Sequence, residues 1–217
     1  MDRALPSGGR GGRFESCILR IMEPIILASS SPQRQVIFKQ LNIPFKVVTP
    51  SFDEVKPNDI DILETPEYFA AQKVKSVVKM FPTNQTLDWV LGADTSIIYN
   101  NKLFGKPKDA QEAYNFLNAF SGHTHQVISS IALFNGKIQY LETKTSKNTV
   151  TFKTLSKEEI NWYIDSGEWH GAAGGYRIQG LAQCFISNIN GSFSSIMGLP
   201  ISEFYDILTE QGYSFIQ

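Results

Sequence analysis

Ile25, Ile26 and Leu27 form an apolar run that stops at three serines, Ser29 to Ser31. A short apolar run closed by polar residues predicts a buried strand. Ser31-Pro32 predicts a helix start, serine at the N-cap and proline in the first turn. Val36, Ile37, Phe38 and Leu41 supply its apolar face. Phe45 to Thr49 predicts a second strand, and Ser51 to Asp59 a polar loop. Thr65-Pro66 opens a helix to about Met80, with Phe69, Val74, Val77 and Val78 turned inward. Trp89 to Leu91 predicts a buried strand ending in Gly92-Ala93-Asp94-Thr95. Asn100-Asn101 between Ile97–Tyr99 and Leu103-Phe104 predicts a hairpin turn.

A helix follows from about Ala110 to Phe120, then a turn over Ser121 to His125. Gln126 to Phe134 predicts a strand whose hairpin partner begins after Asn135-Gly136, and a further strand falls near Asn148 to Lys153. Ser156 and Glu159 have capping-box spacing and open a helix to about Asp165. Gly171 to Gly180 predicts a glycine-rich loop, Cys184 to Ile189 a strand, and Ser202 to Gln211 the last helix. Strands and helices alternate, but several strands are joined by hairpins. That argues against a purely parallel sheet and for an α/β fold in which a mixed sheet carries flanking helices.

Composition narrows the function classes. The 217 residues are 42% hydrophobic and 19% charged, enough for one large domain or two lobes sharing a cleft. A formal net charge of −1 argues against a general nucleic-acid binder. The two cysteines, Cys17 and Cys184, form no CxxC and no Cys/His cluster, so structural zinc is not expected. Low cysteine usage suits a reducing compartment and the expected location is cytoplasmic. No apolar run approaches the roughly 18 residues of a membrane span. Residues 1–21 are rich in Gly and Arg and lack the apolar core of a signal peptide. They are expected to be a disordered or weakly attached extension, or a short targeting or contact segment, with the folded domain over 22–217 and Met22 a candidate start.

The candidate chemistry lies at the junctions. Unpaired N–H groups and the helix dipole at a strand-to-helix turn favour an anion, and Arg34 in the first turn adds a planar cationic fork. The plainer reading is an ordinary N-cap beside a surface arginine. Asp94, at the expected strand end, is placed to hold a metal or orient a water, or is a turn aspartate. Thr95 offers a hydroxyl to a ligand or simply begins the next strand. Asp53 and Glu54 give adjacent carboxylates for a hard cation, or a solvated loop. Lys73 and Lys106 are candidate phosphate contacts, Lys106 being fixed between Gly105 and Pro107. Gln179 carries a primary amide, donor and acceptor together, which matches a uracil or thymine edge or bonds to its own loop. His123 and His125 read as structural or surface histidines, there being no third ligand nearby. Together the set suits a nucleoside triphosphate with Mg²⁺, and the absence of a Walker A loop argues against a kinase or motor ATPase.

From Met22 onward the chain resembles the Maf family of nucleoside triphosphate pyrophosphatases, most closely its dTTP/UTP branch. The resemblance is carried by LASSSPQR (27–34), FDE (52–54), KVKS (73–76), GADT (92–95), GKP (105–107), SGHTHQV (121–127), AGGYRIQG (173–180) and GLP (198–200). It implies a two-lobed fold of the inosine-triphosphate-pyrophosphatase-like type around a cleft. It also implies Mg²⁺-dependent cleavage between the α and β phosphates, and a homodimer. By match, Asp94 is the catalytic carboxylate and Glu54 joins it at the metal. Ser29, Arg34, Lys73 and Lys106 hold phosphates, and Gln33, Thr95 and Gln179 set base choice. A non-catalytic nucleotide-binding regulator of cell division is the alternative. Two positions depart from the pattern: Gln33 stands where that branch carries arginine, and Ala172 where the family carries lysine. Arg177, absent from the common YGIQG form, is expected to return the missing charge.

Overall fold

The computed structural model describes residues 22–52, 54–82 and 85–215. The expected extension over 1–21 and the carboxylate Asp53 lie outside the described residues.

A seven-stranded mixed sheet organises the chain. β1 (Ile25–Ala28) lies between β2 (Phe45–Val47) and β3 (Trp89–Tyr99), parallel to both. Beyond β3 the sheet turns antiparallel through β5 (Thr124–Asn135), β6 (Tyr140–Phe152) and β7 (Ile186–Asn190), while β4 (Lys102–Phe104) folds back on β3. Asn100 and Asn101 both adopt left-handed φ values, 48° and 58°, as the tight turn between β3 and β4 requires.

Alternation along the strands decides which helix covers which face. Ile25, Leu27 and Leu91 pack with Ile37 and Phe38 of α1 (Pro32–Gln40) and Phe204 and Ile207 of α6 (Ile201–Glu210). Ala28 and Val90 pack against Ala70, Val74 and Val77 of α2 (Thr65–Lys79) on the other face. Successive helices from β1 therefore lie on opposite faces. This creates a switch point off the C-terminal end of β1, the usual ligand crevice of such sheets.

A second core surrounds the far ends of β3, β5 and β6. It gathers Ile97, Phe120, Val150 and Phe152 with Leu117 of α3 (Ala110–Phe120), Tyr163 of α4 (Lys157–Asp165), and Tyr176 and Phe185. α4 begins with the expected capping box, Ser156 and Glu159 satisfying each other's backbone N–H. The two cores flank the cleft described below.

Several expectations change. Asp94 does not end a strand: β3 runs unbroken through Gly92-Ala93-Asp94-Thr95, and it is β1 that stops, at the level of Gly92. Gly92 serves close packing within the continuing strand, since a Cβ there would meet the Ala70 carbonyl oxygen at 2.4 Å and Val74 Cγ2 at 2.8 Å. The hairpin partner of β5 and the separate strand expected near Asn148 are one strand, β6, held in register along the whole of β5. Cys184 falls in a 3-10 turn (Leu181–Cys184) ahead of β7, as a free exposed thiol. Val36 is exposed, the buried face of α1 being Arg34, Ile37 and Phe38. A short helix, α5 (Phe193–Met197), capped by Ser192 and closed by Gly198, precedes α6 and was not among the expected elements.

Candidate active site

A cleft of about 790 Å³ opens at the switch point, and all nine expected site residues line it: Ser29, Gln33, Arg34, Glu54, Lys73, Asp94, Thr95, Lys106 and Gln179. Segments distant in sequence meet here because β1 ends while β3 continues.

Ser29 follows β1 directly and is buried. Its Oγ accepts from Arg34 Nη1 at 3.0 Å and from the Ser31 N–H at 3.2 Å. Arg34 Nε donates to the Gly198 carbonyl at 2.9 Å, so the guanidinium is fixed from two sides although only 9% of the residue is exposed. Burial lowers its pKa, opposed by the nearby Asp94 and Glu54. The guanidinium nevertheless stays charged. The N-cap Ser31 makes no side-chain cap bond, which leaves the first turn of α1 open to an anion.

Asp94 sits on the α2 side of β3 with its side chain 14% exposed. Lys73 reaches from α2, its Nζ 2.5 Å from Asp94 Oδ1 and 3.1 Å from Glu54 Oε1. One ammonium thus bridges the two carboxylates expected to share a metal. Burial pushes the Asp94 carboxyl above its ordinary value, Glu54 adding to the rise while Lys73 and Arg34 pull it down. Ionised Asp94 is therefore held at a cost in the free protein, a cost that further positive charge in the cleft would offset.

Thr95 faces away from Asp94, as strand alternation requires. Its Oγ1 lies 2.8 Å from Ser129 Oγ, directly across the β3–β5 register. Phe104, Tyr176 and Ile178 add apolar wall, and Lys106 lies in the exposed loop after β4. Ala172 is buried at the cleft edge. Arg177 also lines the cleft, and donates from Nε to the Glu168 carbonyl at 3.1 Å and from Nη2 to the His170 carbonyl at 2.6 Å. Glu168 in turn accepts from the Leu181 N–H at 2.9 Å and from the Tyr163 hydroxyl at 3.1 Å, which ties the loop carrying Arg177 and Gln179 to α4.

Sequence reasoning finds Gly198 only as part of the GLP motif and misses its role, a carbonyl that orients Arg34; it also misses Ser129, which backs Thr95. Neither role had a local signal, because each acts on a residue far away in the chain. His125 proves structural: it is 1% exposed, stacked on Phe120 at 4.3 Å, with Nε2 2.7 Å from the Tyr176 hydroxyl. His123 is exposed.

Among protein families, the one described as Maf-like protein matches residues 24–211. The dTTP/UTP pyrophosphatase of Pelotomaculum thermopropionicum is 34% identical over 195 residues, covering 90% of this chain and 100% of that protein. The dTTP/UTP pyrophosphatase of Ruegeria sp. (strain TM1040) is 41% identical over 192 residues, 87% of this chain and 94% of that one. Among solved structures, the Staphylococcus aureus Ham1 protein aligns with a TM-score of 0.41 at 16% identity, covering 67% of this chain and 98% of that one.

Proposed function

The chain belongs to the Maf family, and on that premise we propose that it hydrolyses nucleoside triphosphates, dTTP, UTP or modified pyrimidine nucleotides, between the α and β phosphates. The products are a nucleoside monophosphate and pyrophosphate. One observation carries the reading. Among the described residues, four cations line the cleft (Arg34, Lys73, Lys106 and Arg177) against two carboxylates (Glu54 and Asp94), a formal balance of +2 among them in a chain of net charge −1. A cleft of one sign with low-dielectric walls concentrates a polyanion.

In this reading Asp94 is the proton acceptor. Water attacks the α-phosphorus, its proton passes to Asp94, the bond from that phosphorus to the bridging oxygen breaks, and its electrons leave with pyrophosphate. Arg34, pre-set by Ser29 and Gly198, presents its remaining donors to phosphate oxygens without reorganising. Lys73 exchanges part of its bond to the carboxylates for a phosphate, which frees Glu54 and Asp94. Those two carboxylates fit Mg²⁺, which takes one or two carboxylates and completes its shell with water and substrate phosphates. When bound, the ion would neutralise phosphate charge and acidify the attacking water.

The test is pyrophosphate release from dTTP and UTP with Mg²⁺. Loss of at least about a hundredfold in Asp94→Asn, and loss on chelation with recovery on added Mg²⁺, is expected. Full activity in Asp94→Asn, or orthophosphate as the first product, overturns the reading. Thermal stabilisation by nucleotide without turnover would point to the non-catalytic regulator.

A further inference from the structure

Thr95, Ser129 and Ser195 form a chain of hydrogen bonds that leads out of the cleft. Ser129 Oγ donates to the Ser195 carbonyl at 2.6 Å, and Ser129 is fully buried. A carbonyl only accepts, and a serine hydroxyl has one proton. The proton of Ser129 is therefore committed to Ser195. In the 2.8 Å contact between Thr95 and Ser129, Thr95 must then be the donor. A hydroxyl that could ordinarily turn either way is left with lone pairs alone facing the cleft it lines.

The two amides in the cleft carry no such instruction. Neither Gln33 nor Gln179 has a side-chain hydrogen bond among the described residues, so each can rotate to offer oxygen or nitrogen. Of these three residues, only Thr95 has its polarity fixed by the protein.

We propose that Ser129 is a positioning residue for base choice: by taking the Thr95 proton, it makes Thr95 an obligate acceptor for the imide N3–H of a uracil or thymine ring. Cytosine carries a lone pair at N3, so the same contact would set acceptor against acceptor. A site built on a fixed hydrogen-bond direction rejects the mismatched partner far better than one built on shape. The inference rests on the pyrophosphatase reading above and adds the rule by which that site separates imide bases from cytosine.

The experiment compares kcat/KM for UTP and CTP in the wild type, Ser129→Ala and Ser129→Thr. Ser129→Ala removes the acceptor of the Thr95 proton, while the Ser195 carbonyl keeps the Gly198 N–H at 2.9 Å. Thr95 can then donate into the cleft. A wild-type preference for UTP over CTP is expected, falling by about tenfold or more in Ser129→Ala and persisting in Ser129→Thr, which keeps the hydroxyl. Damage of a merely structural kind lowers both substrates together and leaves the ratio alone. An unchanged ratio in a folded Ser129→Ala overturns the inference. A wild-type measurement needs no variant: 3-methyluridine triphosphate, which lacks the N3–H, is expected to be a poor substrate, and turnover equal to UTP overturns the inference. Absence of pyrophosphate release from every triphosphate overturns the pyrophosphatase reading and this inference with it. Release with an unchanged ratio overturns this inference alone.

Discussion

His125 should make the protein acid-sensitive by an amount that can be worked out. Its ring is enclosed by Phe120, Phe152 and Tyr176, and Nδ1 has no hydrogen-bond partner among the described residues. Burial depresses its pKa from 6.5 to about 3. The unfolded chain, with the ordinary value, takes up a proton that the folded chain refuses. Stability is thus intact above pH 6.5 and falls as the pH drops through that value toward 3. Each unit of the interval is worth about 1.4 kcal/mol, so the loss between pH 7.5 and 5 is about 2 kcal/mol, and it reaches about 5 kcal/mol by pH 3. Urea unfolding at pH 7.5 and 5.0, in the wild type and in His125→Gln, isolates this contribution, because every other titrating group cancels in the double difference. Glutamine keeps a polar partner for Tyr176 and does not titrate. The wild type should lose about 2 kcal/mol more than the variant between the two pH values. Equal losses would refute the burial argument.

Gly92→Ala should cost about 1–3 kcal/mol of stability, since its Cβ would strike the backbone of α2. Because Lys73 rides on that helix, kcat/KM should fall more than the melting temperature suggests; a loss of stability with full activity would refute the coupling. The acid limb of kcat/KM should report the ionisation of Asp94, the proposed proton acceptor, whose pKa burial raises and Lys73 lowers. Lys73→Met removes a charge that lowers this pKa, so the limb should move to higher pH, and a limb that stays put or moves down would count against the assignment. Arg177→Ala should raise KM for triphosphates by about tenfold, the scale of one charge-assisted contact; unchanged kinetics would show that Arg177 only fastens its loop to Glu168 and His170.

Much of this protein is legible along the chain, because the signals involved are local. The Asn-Asn turn needs two residues that tolerate positive φ, and the capping box of α4 needs a hydroxyl and a carboxylate three residues apart. Alternation and helical periodicity place most elements, and the short motifs that carry the family resemblance point to the residues that line the cleft. The tertiary structure decided the rest. Gly92 reads locally as a strand end, yet it lets a helix approach a strand that continues. His125 reads as a surface or structural residue until the aromatic ring around it is seen. The Arg34 clamp joins residues 164 positions apart, and the Thr95–Ser129–Ser195 chain spans separations of 34 and 66. A hydroxyl's proton goes where an acceptor happens to be. No window of sequence holds both partners, so the direction of that bond exists only once the sheet register has brought them together.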